Sequence, residues 1–277
     1  MNPVKSADLH LHTVFSDGTY TPEELVEQSI KAGLSAIAVV DHDTVAGIGP
    51  VMEAAKGADL EILSGVELTA EHAGSEVHIL GYLIDHQDKA LLERLEILKE
   101  NRRQRVYKIL EKLKGMGMEL DPQAVFSLAK KGTVGRLHIA RAMVAQGLAT
   151  SIPEAFYRHI GDNRPAYVLG FRFSPRQAIE LIKSAGGIPV LAHPYSIDDD
   201  SAITEFIKEG IMGLEVYYPE HTQGMINFYL GLAKEHNLLL TGGSDCHGGA
   251  KPQVLIGSVK IPYELVEKLK QAKDRLR

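Results

Sequence analysis

Six histidines and three carboxylates of this 277-residue chain lie on or just after stretches that are predicted to be β-strands. His10 and His12 are two residues apart on one such strand, so their side chains point to the same face and can chelate one metal ion. The other members of the set are Asp17, His42, Glu67, His78, His193, Asp245 and His247. Because strand ends gather at one face of a β/α architecture, we expect one cavity to collect all nine residues.

The residue types in this set indicate which ions would bind. A single buried histidine is usually explained by a structural hydrogen bond, but burying so many polar groups without partners would be costly, so the joint pattern favours metal ligation. Mixed imidazole and carboxylate ligation suits zinc, manganese or iron, whereas magnesium and calcium prefer oxygen ligands. The nine ligands exceed the need of one tetrahedral ion. We therefore predict two or three divalent ions, with Glu67 as a bridge and open positions for water.

The charge of such a centre indicates its substrate. Three divalent ions and three carboxylates leave a formal surplus of about three positive charges, which favours binding of a phosphate. Neighbouring ions can acidify a water and stabilise both the attacking and the leaving oxygen of an in-line displacement. The predicted chemistry is therefore phosphoester hydrolysis.

Alternating strand and helix patterns must position these residues. Strands are predicted at 7–12, 36–40, 61–66, 76–84, 188–192, 213–217, 238–241 and 254–259, with helical patterns between most of them. The first helix has a clear start, because Thr21 can cap it, Pro22 suits its first position and Glu24 completes a capping box. This rhythm predicts an α/β fold with a parallel sheet or barrel.

Helical periodicity dominates residues 88–163, which we interpret as an insertion domain between two barrel segments, 1–87 and 164–277. Between Lys89 and Lys114 there are nine Lys or Arg and four Glu residues. This basic segment is interpreted as a solvated helix face, with a polynucleotide-binding ridge as the alternative.

Composition excludes several classes of protein. No apolar run approaches the roughly 18 residues that span a bilayer, so a membrane protein is not expected. The net charge of −6 argues against a general polyanion binder, and the single cysteine, Cys246, excludes an internal disulfide. The opening residues lack the apolar core of a signal peptide, so we expect a cytoplasmic location.

The segments HLHTVFSDG, VVDHDT, GVE, HILGY, AHP and GSDCH, taken in this order, resemble the motifs of the polymerase and histidinol phosphatase (PHP) superfamily of metal-dependent phosphoesterases. The resemblance implies a distorted seven-stranded β/α barrel with a trinuclear metal site. Its three ions would be held by His10, His12, Glu67 and Asp245; by Glu67, His78 and His193; and by Asp17, His42 and His247. No ligand position is missing, which argues against a non-catalytic member.

The helical insertion resembles the subgroup of nucleoside 3′,5′-bisphosphate phosphatases that also trim short RNA from the 5′ end. Arg136, which follows Gly135 at a predicted helix start, is a candidate phosphate clamp, with His138 beside it. His221 is a candidate proton donor or phosphate contact, and Tyr195 is a candidate pocket residue that stacks on a base. Each of these residues has an ordinary structural role as its alternative.

The leading hypothesis is a metal-dependent phosphatase that converts a nucleoside 3′,5′-bisphosphate to a nucleoside 5′-phosphate and phosphate. The alternatives are a 5′–3′ exonuclease acting on short oligonucleotides, an amidohydrolase-like enzyme that cleaves C–N bonds, and a non-enzymatic, metal-dependent nucleotide sensor. A nucleotide or short oligonucleotide is the expected partner, and neither a protein partner nor a membrane is inferred.

Overall fold

A computed structural model describes residues 5–129, 132–169, 173–197 and 200–276. Its barrel portion begins with β1 (Ser6–Leu11), α1 (Pro22–Lys31), β2 (Ala36–Val39), α2 (Ile48–Ala54), β3 (Glu61–His72) and β4 (Ser75–Tyr82). The insertion follows with α3 (Lys89–Gly115), α4 (Pro122–Ala129), α5 (Arg136–Ala145), α6 (Ile152–Ala155) and a short π-helical turn, Phe156–Ile160. The barrel then resumes with α7 (Pro175–Ser184), β5 (Ile188–Leu191), α8 (Ser201–Glu209), β6 (Gly213–Tyr217), α9 (Gln223–Glu235), β7 (Leu239–Gly242), β8 (Ile261–Pro262) and α10 (Tyr263–Asp274).

The strands form one sheet in the order β7-β6-β5-β4-β3-β2-β1-β8, curved into a nearly closed barrel. The predicted barrel is thus confirmed: the described residues contain seven strands of four or more residues, and a two-residue strand, β8, pairs antiparallel with β1 at the end of the sheet. No helix in the described parts of the chain is long and apolar enough to cross a membrane.

The sheet is not parallel throughout, because β4 is antiparallel to both β3 and β5. The two residues between β3 and β4, Ala73 and Gly74, have φ values of 51° and 86°. Two successive residues with positive φ form a tight hairpin turn, which joins antiparallel strands, whereas parallel strands need a long crossover. As a result β3 runs to His72, and Glu67 lies inside the strand instead of at its end.

The strand predicted at 254–259 is absent, because these residues form turns. Gly257 has a φ of 73°, and its N–H donates to Asp8 Oδ2 instead of to a neighbouring strand. The Val254 carbonyl likewise accepts from the Cys246 thiol. These backbone groups therefore stabilise the loop that follows β7.

The start of α1 confirms the predicted cap. The Thr21 side chain accepts from the Glu24 N–H at 3.3 Å, and the Glu24 carboxylate accepts from the Thr21 N–H at 2.9 Å. This cap ends the loop between β1 and α1, which carries Asp17.

In the part of the chain that the structure describes, apolar side chains form three packed clusters. One cluster contains alternate residues of the first strands, such as Ala7, Leu9, Ala36 and Ala38, together with Leu265 and Val266 of α10. A second, the sheet-and-helix cluster, packs the sheet against other helices. A third lies within the insertion. The first half of α3 contributes to the sheet-and-helix cluster and its second half to the insertion cluster, so this helix connects the two regions. The division at residues 88 and 163 stays a prediction.

Candidate metal centre and its cavity

The structure brings all nine histidines and carboxylates of the predicted set together at one end of the barrel. His10 lies on β1 and His12 just after it, while Glu67 and His78 lie on the paired strands β3 and β4. The others lie in loops: Asp17 and His42 follow β1 and β2, His193 follows β5, and Asp245 and His247 follow β7.

A first group consists of His10, His12, Glu67 and Asp245. The Nε2 atoms of both histidines are 3.2 Å from Glu67 Oε2 and 3.1 to 3.4 Å from Asp245 Oδ1. Two ligand atoms that each lie about 2.1 Å from a tetrahedral ion are about 3.4 Å apart, so these spacings suit one ion. This group has the same members as the first ion site implied by the family resemblance.

A second group is centred on the other oxygen of Glu67. Glu67 Oε1 lies 2.8 Å from His78 Nδ1 and 3.2 Å from His193 Nε2, and these two nitrogens are 3.3 Å apart. Glu67 Oε2 is also 3.2 Å from His42 Nδ1. The two Glu67 oxygens thus face different sets of histidines, which is the geometry a bridging carboxylate needs.

A third group contains Asp17, His42 and His247, with His12 also within reach. Asp17 Oδ1 is 3.2 Å from His247 Nε2, and Asp17 Oδ2 is 3.9 Å from His42 Nε2. His42 therefore lies between the second and third groups, and His12 between the first and third.

Within the described residues, several buried atoms of these groups make no hydrogen bond of acceptable geometry, although other ligand atoms lie near them: both ring nitrogens of His12, His42 Nδ1 and Asp17 Oδ1. Leaving a buried polar atom unsatisfied costs roughly 1 to 3 kcal/mol. Divalent cations would satisfy all of these atoms at once, and the mixed donor set suits zinc, manganese or iron. The residues present therefore fit a metal centre.

The electrostatics of the centre follow from burial and from the mutual attraction of its groups. Burial alone would raise the pKa of Glu67, but His42, His78 and His10 hold that pKa well below its usual range. Burial opposes protonation of His12, yet Asp245 and Glu67 raise its pKa to about 9. Burial also opposes protonation of His78, but the attraction of Glu67 raises the pKa of His78 to about 10. Protons therefore occupy these imidazoles when ions do not.

Glu215, on β6, is a site residue that the sequence analysis missed. Its buried carboxylate accepts from His10 Nδ1 and from the backbone N–H of His193, both at 2.8 Å. The bond to His10 turns His10 Nε2 toward Glu67 and Asp245. The bond to His193 holds the loop that carries this predicted ligand. A carboxylate in the middle of the apolar strand GLEVY was the available signal.

Asp245 is positioned by contacts on its second oxygen and by its backbone. Oδ2 accepts from the Tyr218 hydroxyl at 2.7 Å and from Lys251 Nζ at 2.8 Å. The residue has a φ of 54°, in the left-handed region that non-glycine residues rarely adopt. Gly243 allows the loop to approach β1, because a Cβ there would lie 2.4 Å from the His10 backbone nitrogen.

Buried aspartates hold the remaining loops. Asp8 accepts from the backbone N–H and the hydroxyl of Ser244, which ties the start of β1 to the loop after β7. Asp41 accepts from Thr13 and from the Ser16 hydroxyl, which fixes the loop that carries Asp17.

A cavity of about 840 Å³ joins the centre to the helical insertion. Predicted metal ligands lie along one part of its wall, namely Asp17, His42, His78, Asp245 and His247. The insertion supplies Arg102, Arg105 and Arg136 to another part, and Lys251 adds a fourth cation. Of the remaining basic residues of the 89–114 segment, Lys99 is partly buried. The others are exposed, namely Lys89, Arg94, Arg103, Lys108, Lys112 and Lys114. Most of this basic segment thus faces away from the cavity.

Arg136 lines the cavity but is held by acidic partners that the sequence analysis did not anticipate. Its Nη2 is 3.0 Å from Glu76 Oε2, and its Nη1 donates to Asp162. Glu76 also accepts from His78 Nε2 at 2.9 Å. Arg136 is therefore linked to the candidate metal centre through one carboxylate.

The other predicted substrate contacts have different surroundings. Tyr195 lines the cavity and is 38% exposed. His138 is buried, and its Nδ1 accepts from the Gly135 N–H. Because burial lowers the pKa of His138 to about 4, this residue caps α5 as a neutral ring.

His221 donates from Nδ1 to the Val216 carbonyl at 2.8 Å, which leaves a lone pair on its buried Nε2. Burial lowers the pKa of His221, so the neutral form is favoured and offers an acceptor instead of a proton.

Comparison with known proteins gives a consistent result. The family model described as PHP domain matches residues 8–124. A 5′-3′ exoribonuclease of Haemophilus influenzae is 34% identical over 248 residues, which cover 88% of this chain and 90% of that protein. A 3′,5′-nucleoside bisphosphate phosphatase of Chromobacterium violaceum is 29% identical, with 87% and 86% covered. The crystal structure of a protein described as a putative metal-dependent phosphoesterase from Bifidobacterium adolescentis superposes with a TM-score of 0.89 at 33% identity, covering 96% of each chain.

Proposed function

Because the chain belongs to the PHP family and is a metal-dependent phosphoesterase, we propose that its substrate is a nucleoside 3′,5′-bisphosphate. The products would be a nucleoside 5′-phosphate and inorganic phosphate. The relative from Chromobacterium violaceum is named for this activity. The proposal itself is argued from the residues of this chain.

The observation that supports the proposal is the continuity of the cavity between the candidate metal centre and the three arginines of the insertion. A nucleoside 3′,5′-bisphosphate carries two phosphates, and a metal centre engages the one that is hydrolysed. The other phosphate needs cationic hydrogen-bond donors, for which the planar guanidinium group is well suited. The contacts of Arg136 with Glu76 and Asp162 use only part of its five N–H donors.

The nine residues that would hold the ions are His10, His12, Asp17, His42, Glu67, His78, His193, Asp245 and His247. When bound, divalent cations would lower the pKa of a water and stabilise negative charge on the phosphate. Glu215 orients His10, and Glu76 accepts from His78 Nε2 so that the opposite nitrogen faces Glu67. Lys251, beside Asp245, adds a positive charge at the cavity wall.

A direct test is hydrolysis of adenosine 3′,5′-bisphosphate, with separation of the nucleotide products. We expect release of one phosphate and accumulation of adenosine 5′-phosphate, because the 5′-phosphate lies at the arginines. Accumulation of adenosine 3′-phosphate would reverse the proposed orientation. Hydrolysis of amide substrates without any phosphate release would contradict the proposal and favour C–N bond cleavage.

Arg136→Ala is expected to lower kcat/KM for the bisphosphate about 10- to 150-fold, because a charge-assisted contact contributes roughly 1.5 to 3 kcal/mol. Hydrolysis of p-nitrophenyl phosphate, which lacks a second phosphate, should change little. Both substrates are measured at the same metal concentration, with thermal unfolding as a check on folding.

Arg103→Ala is the matched control, because Arg103 lies on α3 close to Arg102 and Arg105 but is half exposed and paired with Glu100. Equal losses on both substrates would assign Arg136 to the reacting phosphate or to folding. No loss on either substrate would remove Arg136 from the substrate site.

A second candidate function is 5′–3′ exonuclease activity on short oligonucleotides, which is the activity named for the Haemophilus influenzae relative. Hydrolysis of the phosphodiester after the first nucleotide would break the same P–O3′ bond as hydrolysis of the bisphosphate. The two activities then differ in whether the cavity accommodates a second nucleoside.

A further inference from the structure

We propose that the helical insertion positions the third ligand group, Asp17, His42 and His247, through Thr133 and Arg102. The affinity of this group for a divalent ion would then depend on how the insertion packs on the barrel, in addition to the ligands themselves. The inference rests on the metal centre of the proposed function, but not on the identity of the substrate.

The third group is placed where a substrate would meet it. All three of its side chains line the large cavity, so an ion held there would be open to a phosphate. The three residues belong to three separate loops, which follow β1, β2 and β7. Their relative positions therefore depend on what packs against these loops.

Residues 132–135, which we call the insertion loop, lie directly before α5 and contact two of the three ligand loops. The Thr133 N–H donates to the Phe15 carbonyl at 3.0 Å, and the Thr133 hydroxyl donates to the His42 carbonyl at 2.7 Å. Thr133 is buried, and Phe15 is two residues before Asp17. One residue of the insertion thus holds the backbone of the Asp17 loop and of the His42 loop.

Gly132 allows the insertion loop to come this close. A Cβ at Gly132 would lie 2.3 Å from the Phe15 carbonyl oxygen, which is shorter than any normal contact. A larger residue would push the insertion loop away from Phe15 and would separate Thr133 from its two acceptors. The contact therefore requires glycine at this position.

Arg102, on α3, makes a second connection to the His42 loop. Its Nε donates to Asp43 Oδ2 at 2.5 Å, and its Nη2 donates to Thr69 Oγ1 at 2.6 Å. Asp43 directly follows His42, is buried, and has a φ of 51°. A buried carboxylate is costly without a charged partner, so Arg102 stabilises this loop in a conformation that non-glycine residues rarely adopt.

The first ligand group is held by residues of the barrel instead. Glu215 on β6 accepts from His10, and Tyr218 and Lys251 both donate to Asp245. These contacts do not involve the insertion. A change in the insertion loop should therefore weaken the third group selectively.

The test is a manganese titration of metal-free wild type and Thr133→Val, with bound ions per chain measured by equilibrium dialysis and elemental analysis. Valine has nearly the shape of threonine but cannot donate to His42. Asp17→Asn removes a ligand and so identifies the binding step of the third group. We expect Thr133→Val to weaken that step about 3- to 10-fold, the range that corresponds to one hydrogen bond, and to leave the other steps unchanged.

Thr133 is the residue to change because Arg136 also contacts Glu76, which accepts from His78 of the second group. Thr133→Ser keeps a hydroxyl and should restore wild-type affinity. Gly132→Ala, which displaces the insertion loop, should weaken the same step as Thr133→Val.

Ser64→Ala is the matched control, because the buried Ser64 hydroxyl also donates to a backbone carbonyl, that of Ile84, at 2.8 Å. Ile84 lies in a loop without predicted ligands. Thermal unfolding of the metal-free proteins shows how far each change lowers stability. We expect Ser64→Ala to lower stability but to keep every metal-binding step.

Hydrolysis of p-nitrophenyl phosphate gives an independent measurement. Thr133→Val should raise the manganese concentration for half-maximal activity by the same factor as in the titration, with little effect on kcat at saturating manganese. Arg136→Ala should differ, because its loss is expected on the bisphosphate and at every metal concentration.

Unchanged manganese binding in Thr133→Val, weakening of a different step, or equal weakening of all steps would overturn the inference. It would also be overturned if Asp17→Asn kept every step or if Ser64→Ala weakened the same step. None of these results depends on nucleotide hydrolysis. Failure of wild type to hydrolyse adenosine 3′,5′-bisphosphate would contradict the proposed function, whereas a selective effect of Thr133→Val on the third group would still support the inference.

Discussion

Removal of divalent ions from the protein is expected to abolish phosphate release while the fold persists. Without ions, the site lacks the groups that would acidify a water and stabilise negative charge on the phosphate. Loss of this charge stabilisation should cost at least about 4 kcal/mol, or roughly 1,000-fold in rate. The measurement is phosphate release after dialysis against a chelator and after addition of manganese, zinc or iron, with the residual metal determined by elemental analysis.

The fold should persist because protons replace the ions. The pKa values of His10, His12 and His78 are raised by their carboxylate neighbours despite burial, so these rings balance the acidic charge at neutral pH. Since these rings must lose their protons to bind a metal, metal affinity should fall progressively as pH falls below the raised pKa values of about 9 for His12 and about 10 for His78, and activity at limiting metal should fall with it. Full activity in metal-free protein would show that the assignment of the centre is wrong.

Glu67→Gln is expected to release bound metal and to lower kcat/KM by more than about 100-fold. Residues that only support a ligand typically contribute 10- to 100-fold, and Glu67 itself faces five histidines through its two oxygens. The amide has a similar shape but lacks the charge, so the fold should be retained. Metal content per chain, kcat/KM and thermal unfolding are measured on the same preparation.

Glu61→Gln is the control for Glu67→Gln, because Glu61 lies on the same strand but contacts Tyr263 and Lys270 away from the centre. We expect this control to keep wild-type metal content. Normal kcat and normal metal content in Glu67→Gln would exclude the bridging role.

The sequence by itself was sufficient to predict the barrel, the phosphoesterase class and the family, and all three predictions are confirmed. It also predicted which nine residues lie together, because local patterns identify the strands on which, or just after which, each of them lies. Their roles as ligands stay a prediction.

The tertiary structure alone decided how these residues are supported and what lines the cavity. Glu215 contacts His10 across 205 residues of sequence, and Arg136 meets Glu76 across 60, so no local motif encodes either pair. The direction of β4 depends on the tight turn at Ala73 and Gly74, and segment 254–259 forms a loop because Gly257 donates to Asp8. Local periodicity specifies strands and the residues at their ends, whereas hydrogen bonds between distant segments form only when the whole chain packs.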